Sequence, residues 1–325
     1  MTRLSDVLGI SLPLLQAGMG GVAGPELAAE VSNSGAGGIL ALYKEAPKAI
    51  PDLVTSTSAR TERPFGINII PEVVGHRPAS EQLHAALQHL PGSSFVTTFG
   101  LPDSGFADEV KNANRRLVIQ VGTLDDASAA LELGADVLVL QGSEAGGHHL
   151  GTTPSTDLLS DVRRRHPLEA LTVAGGVATG DDLAAAINSG ADGALAGTLF
   201  VPCDESRAHP AFKAKVLQAS AEDTVVTDVF DIGWPHRSHR VLRNTTTEAP
   251  RAPAQFIATT VVAGRRLPVC RYSAAVPTTN TEGRIDLMAM YCGTSCARVT
   301  RRAPAADVVA RLTAEFHAAS APVGS

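Results

Sequence analysis

Two adjacent histidines occupy a place where a side chain could do acid–base chemistry. They are His148 and His149, in the stretch SEAGGHHLG, and they follow a run of aliphatic residues that ends at Gln141. An imidazole with an unperturbed pKa of about 6.5 can take or release a proton near neutral pH. Gly146 and Gly147 precede the histidines. The residue types raise the question of why two histidines follow two glycines at the end of an apolar run.

Glycines also follow two later aliphatic runs. Gly175 and Gly176 end one, and Gly197 and Thr198 follow Ala196 at the end of the other. Glycine lets backbone N–H groups approach phosphate oxygens, and a helix N-terminus adds about 0.3–1 kcal/mol of favourable dipole. The threonine adds a hydroxyl group. The pattern predicts a site for a phosphorylated ligand, although glycines that merely turn the chain would look the same.

The elements that must position these residues alternate regularly over the first two thirds of the chain. The predicted strands are Leu12–Ala17, Gly38–Leu42, Phe65–Ile69, Phe95–Thr98, Leu117–Val121, Val137–Gln141, Leu171–Ala174 and Gly193–Ala196. The helices predicted between them are Pro25–Ser34, Pro47–Ala59, Ala79–His89, Gly105–Asn112, Leu124–Leu133, Thr156–Arg165 and Asp181–Ser189. Each strand is apolar along its length, as parallel strands buried on both faces are. The count and spacing favour a (β/α)8 TIM barrel, whose active site lies in the loops after the strands.

A local pattern recurs at three helix-to-strand connections. The stretches NSGAGGILAL, ELGADVLVLQG and NSGADGALAGT each place a glycine where a helix should end, at Gly35, Gly134 and Gly190. Glycine readily adopts the left-handed conformation that closes a helix C-terminus. We expect these to be tight turns at the end of the barrel opposite the site.

The alternation stops after the eighth predicted strand. Residues 204–300 are rich in Pro, Thr and Arg and show no strand–helix period, whereas residues 303–319 predict one more amphipathic helix. We therefore expect a barrel made of residues 1–221 and 287–325. A long insertion between the last strand and the last helix, residues 222–286, would form a small capping domain over the site.

The composition indicates a globular chain with uneven charge. Of 325 residues, 44% are hydrophobic and 18% charged, and the net charge is −6. Residues 1–230 carry 15 basic and 27 acidic residues, whereas residues 231–325 carry 12 and 6. The basic part could face an anion, although an arginine-rich solvated surface is the simpler interpretation. Aromatic residues make up only 4%, which argues against nucleic-acid binding.

The location of the protein is predicted from what the sequence lacks. It has no uncharged apolar run of roughly 18 residues, and Asp6 interrupts the only apolar region near the N-terminus. Its four cysteines do not form a disulfide framework. We expect a soluble, cytoplasmic protein without a membrane span. Cys292 and Cys296 have no companion ligand pair at a zinc-like spacing, so we expect structural thiols and no metal site.

Five stretches together resemble the nitronate monooxygenase (2-nitropropane dioxygenase) family. They are QAGMGGVAGPELAAEVSNSGAGGIL, RPFGINI, FVTTFGLP, IQVGTLDDASAALELGADVLVLQGSEAGGHHLG and VAGGVATGDDLAAAINSGADGALAGTLFV, and TVVTDVFDIGWPHRSHRVLRN fits the insertion of that family. The resemblance covers about residues 10–245 and, more weakly, residues 287–316. The combination of EAGGH, AGG and GT at these spacings is specific, although each motif alone is not.

The resemblance implies a barrel that binds FMN. The flavin phosphate would lie on Gly175, Gly176, Gly197 and Thr198, where the glycines had already indicated a phosphate site. Further flavin contacts carried over from the family are Ala17, Gly18, Met19, Asn68, Gln141, Gly146, Gly147 and Ala196. The amides of Asn68 and Gln141 would read the polar edge of the isoalloxazine ring, or make ordinary strand-end hydrogen bonds.

The resemblance also implies that His148 is the catalytic group. It would act as a base on the α-proton of a nitroalkane or stabilise an anionic nitronate, and O2 would complete the conversion to a carbonyl compound and nitrite. His149 has no family role and is expected to support the loop. The chain departs from the family pattern at Gly18, where proline is common, and at YCGTSCARV, which replaces a glycine-rich turn.

Other functions remain open at this point. An FMN-dependent enoyl-acyl-carrier-protein reductase has a similar barrel and histidine, and would use NADH and an acidic carrier protein. A non-catalytic flavin- or phosphate-binding barrel, or a flavin enzyme acting on another small anionic or nitro-containing metabolite, also fits. The sequence leaves the substrate size and the oligomeric state open.

Overall fold

The computed structural model describes residues 2–262 and 265–320. Its central sheet has eight parallel strands, and a two-residue strand, β7, lies outside it. The strands of this part of the chain are β1 (Leu14–Gln16), β2 (Ile39–Ala41), β3 (Gly66–Ile69), β4 (Phe95–Phe99), β5 (Arg116–Val121), β6 (Val137–Gln141), β7 (Gly147–His148), β8 (Leu171–Ala174) and β9 (Gly193–Ala196). Each of the eight central strands lies within two residues of its predicted limits.

The eight strands form a TIM barrel, as predicted. Their order is β1-β9-β8-β6-β5-β4-β3-β2. The two end strands meet through Gly37, which pairs with Leu15 just before β2. The Gly37 carbonyl accepts from Gln16 N at 2.9 Å, and its N–H donates to Leu14 O at 2.8 Å. These bonds bring the edges together and satisfy their backbone groups.

An outer layer of helices covers the barrel. The α-helices of the described residues are α1 (Arg3–Leu8), α2 (Pro25–Asn33), α3 (Ile50–Ser58), α4 (Pro71–Val74), α5 (His76–Leu87), α6 (Ser104–Asn112), α7 (Leu124–Glu132), α8 (Ser155–Arg165), α9 (Gly180–Asn188), α10 (Pro210–Gln218), α11 (Thr245–Glu248) and α12 (Ala305–Ser320). The helix predicted at Ala79–His89 begins earlier, at His76. Within the described part of the chain, no helix has the length and apolar composition needed to cross a membrane.

The C-terminal helix completes this outer layer. Helix α12 packs between α9 and α2, the place that an eighth barrel helix must fill because β9 lies next to β1. The approach is close: a Cβ at Gly180 would lie 2.3 Å from Phe316 N. Glu315 accepts the Gly180 N–H at 2.8 Å and so caps the start of α9. The long insertion therefore leaves the barrel and returns to it.

The buried apolar residues form two layers. One fills the barrel interior and includes Leu15, Phe95 and Val139 from the strands. Leu4 and Leu8 of α1 belong to the same cluster, so this helix plugs the N-terminal end of the barrel. The other layer lies between the strands and the surrounding helices. Helix α1 has only six residues, too few for the periodic pattern that predicts longer helices.

The recurrent glycine turns are confirmed. Gly35, Gly134 and Gly190 have φ values of 94°, 80° and 101°, in the left-handed region that favours glycine. Each follows the last turn of a helix and precedes a barrel strand. Short helix-to-strand connections of this kind keep the strands in register at the closed end.

The segment between β9 and α12 has regular structure that the sequence pattern did not reveal. Its strands are β10 (Thr224–Thr227), β11 (His239–Leu242), β12 (Phe256–Val262), β13 (Arg265–Cys270) and β14 (Glu282–Gly283). They form two antiparallel sheets, β10-β11-β7 and β13-β12-β14. These strands are partly exposed and their burial is irregular, so they carry little periodic signal in the sequence. The boundary of a capping domain at residues 222–286 stays a prediction.

Candidate active site

A cavity of about 500 Å³ opens where the barrel strands end. Its walls come from the loops after several strands and from the segment between β9 and α12. Every residue that sequence analysis assigned to the site lines it, namely Ala17, Gly18, Met19, Asn68, Gln141, Gly146, Gly147, His148, Gly175, Gly176, Ala196, Gly197 and Thr198. The structure brings these residues together, and the role of each stays a prediction.

The loops after β8 and β9 form one end of the cavity. Gly175 and Gly176 have φ values of +114° and +77°, which favour glycine. Among the described residues, the N–H groups of Gly176 and Gly197 have no hydrogen-bond acceptor. The Thr198 hydroxyl accepts the Gly293 N–H at 2.9 Å, which leaves its own proton available. Free N–H and O–H donors at one end of a cavity suit an anion such as a phosphate. We call these residues the phosphate end.

Asn68, at the end of β3, presents an amide to the middle of the cavity. Its Nδ2 donates to Thr97 Oγ1 at 2.9 Å, which orients the group. Gly18 packs directly against it, because a Cβ at position 18 would lie 2.4 Å from Asn68 Cβ. Glycine therefore gives Asn68 space at the position where the resembled family commonly has proline. Among the described residues no donor reaches the Asn68 Oδ1, so this oxygen can accept from a ligand.

Gln141 clamps the loop that carries His148. Its Nε2 donates to the His148 carbonyl at 2.8 Å, and its Oε1 accepts the Leu150 N–H at 2.8 Å. Of the two roles considered for this amide, these bonds match strand-end hydrogen bonding. One N–H of the amide group remains for a ligand.

The two glycines before His148 are needed for different reasons. A Cβ at Gly146 would lie 2.5 Å from Gly293 N, so this glycine lets the segment after the last sheet pack against the loop. Gly147 has a φ of +90° and nothing within 4 Å of an added Cβ, so only its backbone conformation requires glycine. The family resemblance predicted that both glycines contact the flavin. For Gly146, contact within the protein already explains the residue.

His148 lies in an aromatic environment. Its ring stacks on Trp234 with centroids 3.7 Å apart and planes at 14°, while His239 and Tyr291 lie 5.0 Å and 5.1 Å away at steeper angles. Its backbone pairs with His239, because β7 adds to β11. Within the described residues, the buried Nε2 has no hydrogen-bond partner. We call His148, Trp234, His239 and Tyr291 the aromatic end of the cavity.

Burial keeps these histidines neutral. It lowers the pKa of His148 from 6.5 to about 2, and the nearby positive charges of Lys44 and Arg237 act in the same direction. Burial also lowers the pKa values of His149 and His239. His149 Nε2 bonds the Ala145 carbonyl at 2.8 Å, consistent with a loop-supporting residue. At neutral pH, His148 therefore offers an uncharged imidazole to the cavity.

Several residues that line the cavity were not predicted from the sequence. Tyr43 and Lys44 lie just after β2, and Trp234 and Tyr291 come from the segment beyond β9. The Lys44 ammonium bonds the Gly233 carbonyl at 3.1 Å and lies 4.9 Å from the Tyr43 ring centre. Because Tyr43 and Lys44 directly follow a barrel strand, their position in the sequence could have indicated that they lie at the site. Trp234 is the single tryptophan of the chain, but nothing local places it beside a histidine.

Cys292 and Cys296 are buried beside the phosphate end. Their thiols share a hydrogen bond that raises the pKa of Cys292 and lowers the pKa of Cys296 to about 7. The Cys296 thiol also donates to the Ser220 carbonyl at 3.2 Å. Within residues 2–262 and 265–320, no group of three His, Cys, Asp or Glu side chains is placed to hold a metal ion.

The lining suits a phosphorylated ring compound such as FMN. The phosphate end offers free N–H and hydroxyl donors, and the walls beside it are apolar side chains at the strand ends, including Val139, Ala174 and Leu195. Asn68 offers an amide for the polar edge of a ring. At the aromatic end, His148 carries a buried nitrogen without a partner. A buried polar atom of this kind needs an explanation, and a bound ligand would provide one here.

Comparisons with known proteins identify the family of the chain. A family model for nitronate monooxygenase matches residues 1–315. The (3aS,4S,5R,7aS)-5-hydroxy-7a-methyl-1-oxo-octahydro-1H-indene-4-carboxyl-CoA dehydrogenase of Rhodococcus jostii is 34% identical over 241 residues, which are 73% of this chain and 65% of that protein. The chain thus spans about two thirds of the length of this relative.

Two solved structures are similar over nearly the whole chain. The nitroalkane oxidase from Streptomyces ansochromogenes has a TM-score of 0.76 and 26% identity, covering 98% of this chain and 99% of that one. FabK from Thermotoga maritima has a TM-score of 0.79 and 26% identity, covering 98% and 96%. The similarity therefore includes the segment between β9 and α12 as well as the barrel.

Proposed function

The chain belongs to the nitronate monooxygenase family, whose members are flavin-dependent oxidoreductases, and we propose that it uses FMN to oxidise alkyl nitronates with O2 to a carbonyl compound and nitrite. One observation carries the proposal. Among the described residues the buried His148 Nε2 has no hydrogen-bond partner, and His148 lines the same cavity as a set of N–H and hydroxyl donors suited to a phosphate. The cofactor and the reacting group would thus share one chamber.

The phosphate end would hold the FMN phosphate through the N–H groups of Gly176 and Gly197 and the Thr198 hydroxyl. Asn68 would orient the isoalloxazine ring through its free amide oxygen. When bound, the flavin supplies a ring that accepts electrons from an organic anion and passes them to O2. The remaining chemistry belongs to the residues of this chain.

His148 would bind the substrate and hold a proton. Because burial lowers its pKa to about 2, the imidazole is neutral but weakly basic, so Nε2 can accept a proton from the α-carbon of a nitroalkane only when the ion pair that forms is stabilised. The imidazolium that forms would be stabilised by the nitronate that forms with it, since opposite charges attract strongly in a dry cavity. With a nitronate as substrate, no proton need move, and the imidazole and Lys44 would only orient the anion. Trp234 and Tyr291 keep water away from the ring.

Chemistry on an acyl thioester is a second candidate. It is favoured by the carboxyl-CoA dehydrogenase relative, and by the cations of Lys44 and Arg207 in the cavity lining, which suit a larger anionic substrate. An enoyl thioester reductase that uses NADH would be such an enzyme. Both functions place FMN at the phosphate end, and they differ in the substrate that reacts beside His148.

The test compares substrates on protein reconstituted with FMN. We expect propane-2-nitronate in air to yield nitrite in proportion to O2 consumed. His148→Gln should retain the flavin spectrum and lose most nitrite production. No nitrite, with loss of flavin absorbance when NADH is added without O2 and its return when an enoyl-CoA is added, would favour the second candidate. Failure to bind FMN would reject both functions.

A further inference from the structure

The single tryptophan of the chain lies flat against the histidine that the proposed function uses. The Trp234 and His148 rings are 3.7 Å apart, centroid to centroid, with planes at 14°. Trp234 belongs to the segment between β9 and α12, whereas His148 belongs to the loop after β6. Two parts of the chain that are distant in sequence therefore meet ring to ring at the aromatic end of the cavity.

The indole is itself held in place by the barrel. Trp234 Nε1 donates to Glu72 Oε1 at 2.9 Å. The same carboxylate accepts two hydrogen bonds from Arg237, at 2.9 Å and 2.7 Å. Phe99 meets the indole edge-on, with centroids 5.3 Å apart and planes at 84°. A paired carboxylate on α4 and an aromatic ring at the end of β4 thus fix the orientation of Trp234 from two sides.

No comparable polar contact holds the His148 ring. A histidine that acts in catalysis is usually oriented by a hydrogen bond from one ring nitrogen to a carboxylate or carbonyl. Within residues 2–262 and 265–320, neither carboxylate nor carbonyl bonds the His148 ring, and Nε2 is buried without a partner. Gln141 and β11 hold the His148 backbone but leave the side-chain torsions free. The stack with Trp234 is the tightest contact that restrains the ring plane.

We propose that Trp234 is a positioning residue, which orients the His148 imidazole by face-to-face stacking in place of a hydrogen bond. The inference rests on the proposed role of His148 in the reaction. It assigns Glu72 and Arg237 an indirect part, because they hold the indole that holds the imidazole. The proposal also explains why the segment beyond β9 reaches the open end of the barrel: this segment supplies the side chain that packs against the imidazole.

A pair of substitutions separates stacking from simple space filling. Trp234→Phe keeps an aromatic face and loses the donor to Glu72, whereas Trp234→Leu fills much of the space without a π-face. We expect kcat for nitronate oxidation to fall about 10- to 100-fold in the leucine variant, because a misplaced reacting group costs about that much. KM and FMN content should change little. The phenylalanine variant should keep most of the activity, since a ring can still stack.

A double-mutant cycle tests whether Trp234 acts through His148. In a His148→Gln background, Trp234→Leu should cause little further loss of kcat, because the ring to be positioned is gone. Equal kcat values in the leucine and phenylalanine variants would overturn the proposal. So would full additivity of the two substitutions. If His148→Gln leaves activity unchanged, the proposed function fails instead, and the two failures are distinguishable.

Fluorescence gives a readout that does not depend on activity or on the folding of a Trp234 variant. Because Trp234 is the only tryptophan, the emission of the flavin-free protein reports this stack alone. Removing the imidazole with His148→Ala should shift the emission maximum to longer wavelength and increase quenching by acrylamide. An exposed histidine, His89, provides the matched control through His89→Ala. Identical emission in both variants would show that the rings are not in contact and would overturn the proposal.

Discussion

The two ends of the cavity differ in the chemical groups that form them. The phosphate end consists of backbone N–H groups and one hydroxyl, placed by short loops directly after β8 and β9. The aromatic end consists of side chains, and three of its four rings come from the segment between β9 and α12. The phosphate end is thus mainly a local product of the barrel, whereas the aromatic end exists only when two distant parts of the chain meet. Binding of a cofactor and its reaction can therefore be altered separately.

The largest effect is expected at the aromatic end. His148→Gln replaces the imidazole by a neutral amide of similar length, which cannot take up a proton. Oxidation of a nitroalkane, which needs the proton transfer, should fall about 10²- to 10⁴-fold in kcat/KM, the usual contribution of a positioned general base. The dissociation constant of FMN should stay within about threefold, because no donor of the phosphate end is touched. Nitrite release and flavin titration measure the two quantities. A large loss of FMN affinity would contradict the separation of the ends.

The opposite variant changes the phosphate end. Thr198→Val keeps the shape and removes the hydroxyl that accepts the Gly293 N–H. Leaving that N–H unpaired and removing a phosphate donor should weaken FMN binding about 10- to 100-fold. At saturating FMN, kcat should return close to the unaltered value. Thr55→Val, at an exposed position of α3, is the matched control and should change neither quantity. A kcat that stays low at saturating FMN would contradict the expectation.

Acid should lower the free energy of unfolding through the buried histidines near the aromatic end. Burial lowers the pKa values of His148, His149 and His239 below 6.5 in the folded protein, to about 2 for His148. The unfolded chain therefore binds more protons than the folded chain below pH 6.5, and the free energy of unfolding falls as the pH decreases. Each fully neutral histidine contributes a slope of about 1.4 kcal/mol per pH unit at most.

Denaturant unfolding of the flavin-free protein, repeated about every 0.5 pH unit between about pH 7.5 and 5, measures this slope. His148→Phe should flatten the dependence, because it removes one group that must stay neutral. His89→Phe, at an exposed position, should leave it unchanged. A slope that is the same in both variants would show that His148 is protonated in the folded protein.

The smallest effect concerns the loop that joins the two ends. Gly147→Ala meets no atom within 4 Å and only forces an alanine to a φ of +90°, so it should cost about 1 kcal/mol of stability. Gly146→Ala should cost more, because its Cβ would lie 2.5 Å from the Gly293 backbone. Thermal unfolding of the two variants tests the order. If Gly147→Ala were the more damaging, the loop would need glycine for a contact that the structure does not show.

The barrel could be predicted because its signals are local. The observed strands have only three to six residues each. Runs of aliphatic residues separated by amphipathic helices nevertheless predicted the limits of all eight strands to within two residues. The glycine turns at Gly35, Gly134 and Gly190 were predicted for the same reason: a left-handed residue must be supplied at the helix end itself. The residues of the phosphate end also follow directly from their places after β8 and β9.

The aromatic end could not be predicted in this way. Nothing near Trp234 in the sequence indicates that its indole stacks on His148, or that Glu72 holds it in place. The same holds for Gly146, whose need for glycine comes from a backbone far along the chain. Side chains that meet across a long loop obey no period, and their contacts depend on how the whole chain closes.

The sequence by itself therefore determined the barrel, the end of the barrel that carries the site and part of the cavity lining, including His148 and the glycines after the strands. Each of these depends on repeated local patterns of apolar residues and glycines. Only the tertiary structure decided how His148 is surrounded and kept neutral, which atoms of Gln141 are already bonded, and that the imidazole rests on Trp234. Those properties arise from burial and from contacts between distant segments, and neither exists before the chain is folded.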